Sequence, residues 1–268
     1  VIDVLVIGAT GFIGSAVAGV LAARADVRLS RGHRGRLSAA AGPVVDVRDA
    51  GTLDCLAEVD VVVHAAHLVH GSDAALEATN VDGSRRVAEL CERTDTRLVS
   101  ISTASVYGAG PWRGEDVQDL APQPVSPVSR SRALGDDAVL RTGGLVMRPH
   151  LVHGPDDRWF VPAARRMLRT TGWIDRGASL HSSIHVQDLA REVVDAALGT
   201  ARGVRLISDG PRTLPEVLSP YLDASDLAQT GSTREEALRH PAGAGDPRWR
   251  HHVDLMSLDH HLVDSGRP

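Results

Sequence analysis

The stretch Ile2-Asp3-Val4-Leu5-Val6-Ile7-Gly8-Ala9-Thr10-Gly11-Phe12-Ile13-Gly14 decides the fold. Its first half is a nearly unbroken apolar run, the pattern of a strand buried on both faces of a parallel sheet. Ile13, Val17, Val20 and Leu21 then recur at helical spacing. The glycines fall where the chain turns from one into the other. A backbone that turns tightly there can approach a pyrophosphate, and the helix start offers its unpaired amides to the anion. Gly8, Thr10, Gly11, Phe12, Ile13 and Gly14 therefore read as a dinucleotide cradle.

Outward from this stretch, apolar strand runs alternate with helical patterns. Further strands are expected at Val27–Leu29, Val44–Val45, Val59–Val63, Leu98–Ser102 and Leu145–Met147, and one long helix at Asp73–Arg93. The alternation predicts an α/β fold, a Rossmann-type doubly wound parallel sheet, with residues 1–150 as the dinucleotide-binding domain. Residues 151–268 form mainly a small C-terminal substrate-binding region, with 185–208 returning to the first core. The Gly- and Pro-rich stretch from Gly108 to Pro127 reads as a surface loop.

The 268 residues carry a formal net charge of −5, which gives no reason to expect nucleic acid or an anionic membrane as partner. There is no lysine, so every basic side chain other than histidine is arginine. Cys55 and Cys91 stand far apart in apolar helical patterns and read as buried thiols. His64, His67 and His70 recur every third residue but begin inside a strand, so no metal site is expected. No signal-like segment opens the chain, and a cytoplasmic protein acting on a small molecule is the expectation.

The end of the second strand selects the cofactor. An acidic residue there would accept from a ribose 2′-hydroxyl. Instead Val27-Arg28-Leu29-Ser30 leads into Arg31, Gly32, His33 and Arg34. Two guanidiniums suit a 2′-phosphate through charge-assisted, often bidentate hydrogen bonds, which points to NADPH. A solvated basic turn is the competing reading.

Further segments resemble the extended and atypical short-chain dehydrogenase/reductase family. Val44-Val45-Asp46-Val47-Arg48-Asp49 resembles the segment that holds the adenine, which implicates Asp46 and Val47. Val63-His64-Ala65-Ala66 is similar to the fourth-strand signature lining the cofactor, which adds Ala65, Ala66 and the adjacent His67. Asn80-Val81-Asp82-Gly83 resembles the helix motif that follows, with Asn80 at the cofactor. Ser102-Thr103-Ala104-Ser105-Val106-Tyr107-Gly108 resembles the strand end carrying the catalytic Ser or Thr. Arg148-Pro149 through Gly154-Pro155, and His185-Val186-Gln187-Asp188-Leu189-Ala190, resemble the late motifs. These put Pro149 at the cofactor and His185 at the substrate.

In that family a Ser/Thr and a Tyr hydrogen-bond the substrate carbonyl, and a Lys binds the nicotinamide ribose. The resemblance implies that Thr103, with Ser105 nearby, fills the first role. The Tyr-x-x-x-Lys motif should fall in Ser126-Pro127-Val128-Ser129-Arg130-Ser131-Arg132. Val128 stands where Tyr is expected, and Arg132 where Lys is expected. Arg132 can still donate to ribose hydroxyls. Val128 removes the proton donor, and a positioned acid is worth about 10²–10⁴ in rate.

Three readings stay open. The chain can be a ketoreductase whose proton comes from water or from a hydroxyl beside the substrate ketone, as in aromatic polyketides. Trp112, Val128, Trp159 and Phe160 would then contact a flat substrate, although ordinary packing explains them equally well. Alternatively Tyr107 or a histidine, His67 first among His70, His150, His153, His181 and His185, can serve as the acid. Or the chain binds NADPH as a sensor without turning it over.

Overall fold

In a computed structural model the described residues are 1–35, 42–246 and 248–266. The chain opens with β1 (Ile2–Ile7), α1 (Phe12–Ala22), β2 (Val27–Gly32), β3 (Val61–His64), α2 (Asp73–Leu76), α3 (Asp82–Arg93) and β4 (Arg97–Ile101). It continues with β5 (Trp112–Asp116), α4 (Pro127–Arg141), β6 (Leu145–Pro149), β7 (Leu151–His153), α5 (Phe160–Thr171), β8 (Leu180–His185), α6 (Val186–Leu198) and β9 (Gly203–Ile207). The last part holds β10 (Pro211–Thr213), four helices α7 (Leu214–Leu218), α8 (Ala224–Leu227), α9 (Arg234–Arg239) and α10 (Trp249–Ser257), and β11 (His260–Val263).

These elements divide into two compact units. The first comprises Val1–Gly108, Pro122–Pro149 and Val186–Ile207, and the second Ala109–Ala121, His150–His185 and Ser208–Pro268. The first unit is built on a six-stranded parallel sheet in the order β2-β1-β3-β4-β6-β9. β1 is flanked on both sides, Val6 pairing with Arg31 of β2 and with Val63 of β3, which is why its buried part, Val4 to Ile7, is apolar. Leu5, Ile7, Val62, Leu98 and Val146 pack with Val87 and Cys91 of α3 and Val139 of α4 in one core cluster. Alternation turns Val4, Val6, Val61 and Val63 to the opposite face, and all four are buried. α1 packs on α6 and α3 on α4, so the sheet is doubly wound.

The second unit arranges β10-β8-β11-β5 in one sheet, with β7 also paired to β8. Its core gathers Leu151, Met167, Leu168, Trp173, Leu214, Trp249 and Met256. No helix among the described residues is long and apolar enough to cross a membrane.

Several sequence expectations need correction. The stretch Val44–Val45 forms a single bridge, Val44 to His33, rather than a strand. Arg31 lies inside β2, not in the turn after it. The segment 108–127 is not all loop: Trp112–Asp116 pairs with β11, a partner far along the chain that no local pattern announces. The expected helix Asp73–Arg93 is interrupted by a π-turn at Glu77–Val81. Gly135 of α4 makes room for that turn, since a Cβ there would stand 2.2 Å from the Asn80 carbonyl oxygen.

Candidate active site in the first unit

The turn from β1 into α1 depends on two glycines. Gly8 has φ of +84°, and a Cβ on it would meet the backbone of Ala65 and Ala66 at 2.9–3.0 Å. A Cβ on Gly14 would stand 2.1 Å from the Gly8 carbonyl oxygen. Side chains at either position would fill the space or strain the turn. The N-cap of α1 is Gly11, which has no capping side chain, and no acidic residue occupies the first turn. The helix dipole and the Phe12, Ile13 and Gly14 amides are thus left for an anion, with Thr10 exposed beside them.

Around this cradle the chain sets the expected adenine and ribose residues differently from one another. Arg31 and Arg34 are exposed. Asp46 accepts the Nε of Arg48 at 2.9 Å and the Arg48 amide at 3.0 Å. The Arg48 guanidinium holds the Asp46 carboxyl down at about 2. Val47 is buried against Gly83 of α3. The Asn80 amide is spent within the chain. Its oxygen accepts the Leu68 N–H at 2.8 Å, while its nitrogen donates to the Leu68 carbonyl at 3.0 Å and to Ser131 Oγ at 2.9 Å. Asn80 therefore pins the segment after Ala65-Ala66 to α4. Pro149 ends β6, buried and paired with Ile207.

The catalytic candidates converge at the ends of β4 and α4. Thr103 Oγ1 accepts the Ser105 N–H at 3.2 Å and donates to Ser105 Oγ at 3.1 Å, so the two hydroxyls lie side by side. α4 begins with a capping box of Ser126 and Ser129 around Pro127. Val128 follows, half-buried, and Arg132 lies four residues on, so the two share a face of the helix. Arg132 is buried, and one guanidinium nitrogen donates to the Ile101 carbonyl. Its Nε is buried with no partner among the described residues. Burial lowers its pKa to about 10, which leaves it charged at neutral pH.

Two proposed acids fail on geometry or charge. Tyr107 is 1% exposed, and its hydroxyl accepts a hydrogen bond from Arg148 Nη1 at 2.9 Å. That phenol is held in the core, which argues against the alternative that Tyr107 serves as the acid. The His67 ring lies against that of His64, tilted by 37° with centroids 4.2 Å apart, and both share Ser84 Oγ, at 3.3 and 3.1 Å. Burial, then the Arg132 charge, pushes His67 well below its ordinary value, so it stays neutral at pH 7.

Behind Thr103 and Arg132 lies a buried ion pair that sequence reasoning missed. Asp136 accepts from Ser102 Oγ at 2.8 Å and from Arg148 at 2.9 and 3.0 Å. The signal was Arg148 itself, a charge closing the apolar strand Leu145-Val146-Met147. Such a residue needs a buried counter-charge.

The expected substrate residues Trp112, Trp159, Phe160 and His185 belong to the second unit. Trp112 lies in β5, and Trp159 is half-exposed at the start of α5, where Phe160 packs against the core. His185 ends β8 with its ring 5.6 Å from that of His153.

The cradle, the orphaned Arg132 Nε and the hydroxyl pair fit a nicotinamide dinucleotide and a carbonyl compound. Several known proteins are similar to this chain. The 4-hydroxy-2-methyl-3-oxo-4-farnesyl-3,4-dihydroquinoline-1-oxide ketoreductase of Stigmatella aurantiaca is 28% identical, over 91% of this chain and 80% of its own length. The 2-alkyl-3-oxoalkanoate reductase of Shewanella oneidensis is 26% identical, over 89% and 70%. The solved structure of MoeE5 in complex with UDP-glucuronic acid and NAD superposes with a TM-score of 0.73 at 23% identity, over 98% of this chain and 90% of that one. The Bordetella bronchiseptica enzyme WbmH in complex with NAD+ gives 0.73 at 19%, over 99% and 90%. At those identities the two structures speak for the fold. The sequence pattern of the NAD dependent epimerase/dehydratase family matches residues 4–204, and the chain belongs to that family.

Proposed function

We propose that the chain is an NADPH-dependent ketoreductase that reduces a ketone on a bulky aromatic polyketide, with the proton supplied by a hydroxyl of the substrate or by water. The finer form of the proposal is an angucyclinone ketone, as handled in simocyclinone biosynthesis. The observation that carries it is Val128: the hydroxyl pair and the buried cation are kept, and the phenol is gone. Two relatives are named as reductases of oxo compounds. The Stigmatella substrate, by its name, has a hydroxyl on the carbon next to the ketone.

NADPH would lie on the β1–α1 turn, with Arg31 and Arg34 toward its 2′-phosphate and Arg132 toward its nicotinamide ribose. When bound it supplies the hydride. Thr103 accepts the Ser105 amide and donates to Ser105 Oγ, which leaves the Ser105 hydroxyl proton for the substrate carbonyl oxygen. Such a donor polarises the carbonyl and stabilises the growing alkoxide without itself giving up a proton. A ketone with a neighbouring hydroxyl needs only orientation and that donor. Trp112, Trp159, Phe160 and His185 are the proposed substrate contacts of the second unit.

A second reading, an NADP-binding sensor, draws on the same residues, because Val128 carries no proton donor, Tyr107 is held in the core and His67 is neutral. NADPH oxidation against a ketone panel separates the two. We expect turnover of polycyclic ketones bearing an adjacent hydroxyl, faster with NADPH than NADH, and little with simple ketones. Tight NADPH binding with no oxidation across the panel favours the sensor.

A further inference from the structure

The ends of β4, the turn after it, α4 and β6 each send one polar side chain into the same interior space. Ser102 Oγ and two nitrogens of Arg148 all converge on a single oxygen of Asp136, at 2.8, 3.0 and 2.9 Å. Arg148 reaches on to the Tyr107 hydroxyl at 2.9 Å, and its guanidinium carbon lies 5.0 Å from the centre of that ring. Ser102 is itself held, its N–H donating to the Met147 carbonyl at 2.7 Å. Asp136 and Arg148 are each 3% exposed. Arg132 precedes Asp136 by one helical turn on α4 and lies within its field.

Counting charges gives the cluster its meaning. One carboxyl group, its pKa raised by burial against the pull of Arg148 and Arg132, serves two buried guanidiniums, and the nearby His64 and His67 are both held neutral by burial and by Arg132. Arg148 takes the carboxylate directly, so the charge left over sits on Arg132, whose Nε has no acceptor among the described residues. A free arginine side chain has many rotamers, and a buried one with an open donor would move to find an acceptor. Two things oppose that movement: the Ile101 carbonyl and the attraction of Asp136.

We propose that Asp136 is a positioning residue that fixes Arg132 for the dinucleotide, and that Ser102, Arg148 and Tyr107 hold Asp136 in turn. The same links tie down both ends of the Thr103–Ser105 turn, through Ser102 before it and Tyr107 after it. The proposal rests on the reading that Arg132 meets the nicotinamide ribose.

The test is NADPH affinity of the full chain, followed by nicotinamide fluorescence, in a double-mutant cycle. Asp136→Asn should weaken binding about tenfold in the wild-type background and less than about twofold in an Arg132→Met background. Tyr107→Phe removes one hydroxyl and no charge. It should weaken binding by about threefold with the same collapse, and it carries the test if Asp136→Asn does not fold. Equal factors in both backgrounds, or no change in the first, overturn the proposal while leaving Arg132 at the ribose. If Arg132→Met alone binds NADPH as the wild type does, that reading of Arg132 fails and the proposal falls with it. None of these outcomes depends on whether a ketone is turned over.

Discussion

Asp136 and Arg148 of the first unit are as deeply buried as His181 and His260 of the second, yet the two places handle polarity in opposite ways. In the first, burial raises the Asp136 pKa, and the carboxyl group is met by the Ser102 hydroxyl and the Arg148 guanidinium, which reaches on to Tyr107. In the second, His150, His260 and His181 stack in a row with centroids 5.4 and 5.6 Å apart and planes inclined by 25° and 23°. Burial lowers the pKa of all three, His181 to about 3, and each keeps a buried nitrogen with no partner among the described residues. A paired charge fails when its partner is removed. A neutral imidazole fails when protons arrive. The same degree of burial therefore makes the Asp136–Arg148 cluster sensitive to mutation and the histidine stack to acid.

The sharpest way to break this contrast is Arg148→Met, which leaves Asp136 charged and unpaired. It should cost about 3–5 kcal/mol in urea unfolding, with most of that regained when Asp136→Leu is added. A loss below about 1 kcal/mol would mean the pair is not what holds the cluster. Acid comes next. A histidine neutral in the fold, with its folded pKa depressed, contributes stability above the unfolded value, and that contribution is lost as pH falls through about 6.5. For His181 the loss by pH 5 is about 2 kcal/mol. All four tryptophans, Trp112, Trp159, Trp173 and Trp249, lie in the second unit, so their emission reads that unit alone. The emission should begin to change below pH 6, and His181→Phe should shift the transition to lower pH. An unmoved midpoint would detach the stack from the acid response. His64 and His67 give the first unit a share of the same sign, visible only by a probe without tryptophan. The smallest effect is a matched pair of hydroxyl deletions. Tyr107→Phe, inside the charged cluster, should cost about 1 kcal/mol in urea. Tyr221→Phe, whose half-exposed hydroxyl meets His153 Nδ1 at 2.9 Å, should cost under about 0.5 kcal/mol. Equal costs would say that depth does not matter here.

The sequence made some of this legible and hid the rest for physical reasons. The β1–α1 turn was readable because tight backbone approach demands glycine at Gly8 and Gly14, whatever the tertiary context. Val128 and Arg132 were readable as departures from a motif of fixed spacing. The π-turn at Glu77–Val81 was not, because its residues suit an ordinary helix and only the packing of Gly135 against Asn80 calls for it. β5 was hidden because Trp112–Asp116 is a strand only by virtue of His260–Val263. Asp136 looks like any polar residue of a helix until Arg148 arrives from another strand. The histidine stack was hidden likewise, since His150, His181 and His260 come from separate segments and each alone reads as a polar residue near a strand.

The first unit is assembled from three stretches of chain, and its outermost strand β9 is the last of them, at Gly203–Ile207. On the ribosome, the sheet therefore waits for its final strand while the whole of His150–His185 is synthesised. During that interval β6 is a free edge, with its backbone N–H and C=O groups available to any other extended chain. A fragment ending after β6 would keep that edge permanently. It would be expected to aggregate rather than serve as a small dinucleotide-binding module, and cutting the gene there would be a poor way to obtain one.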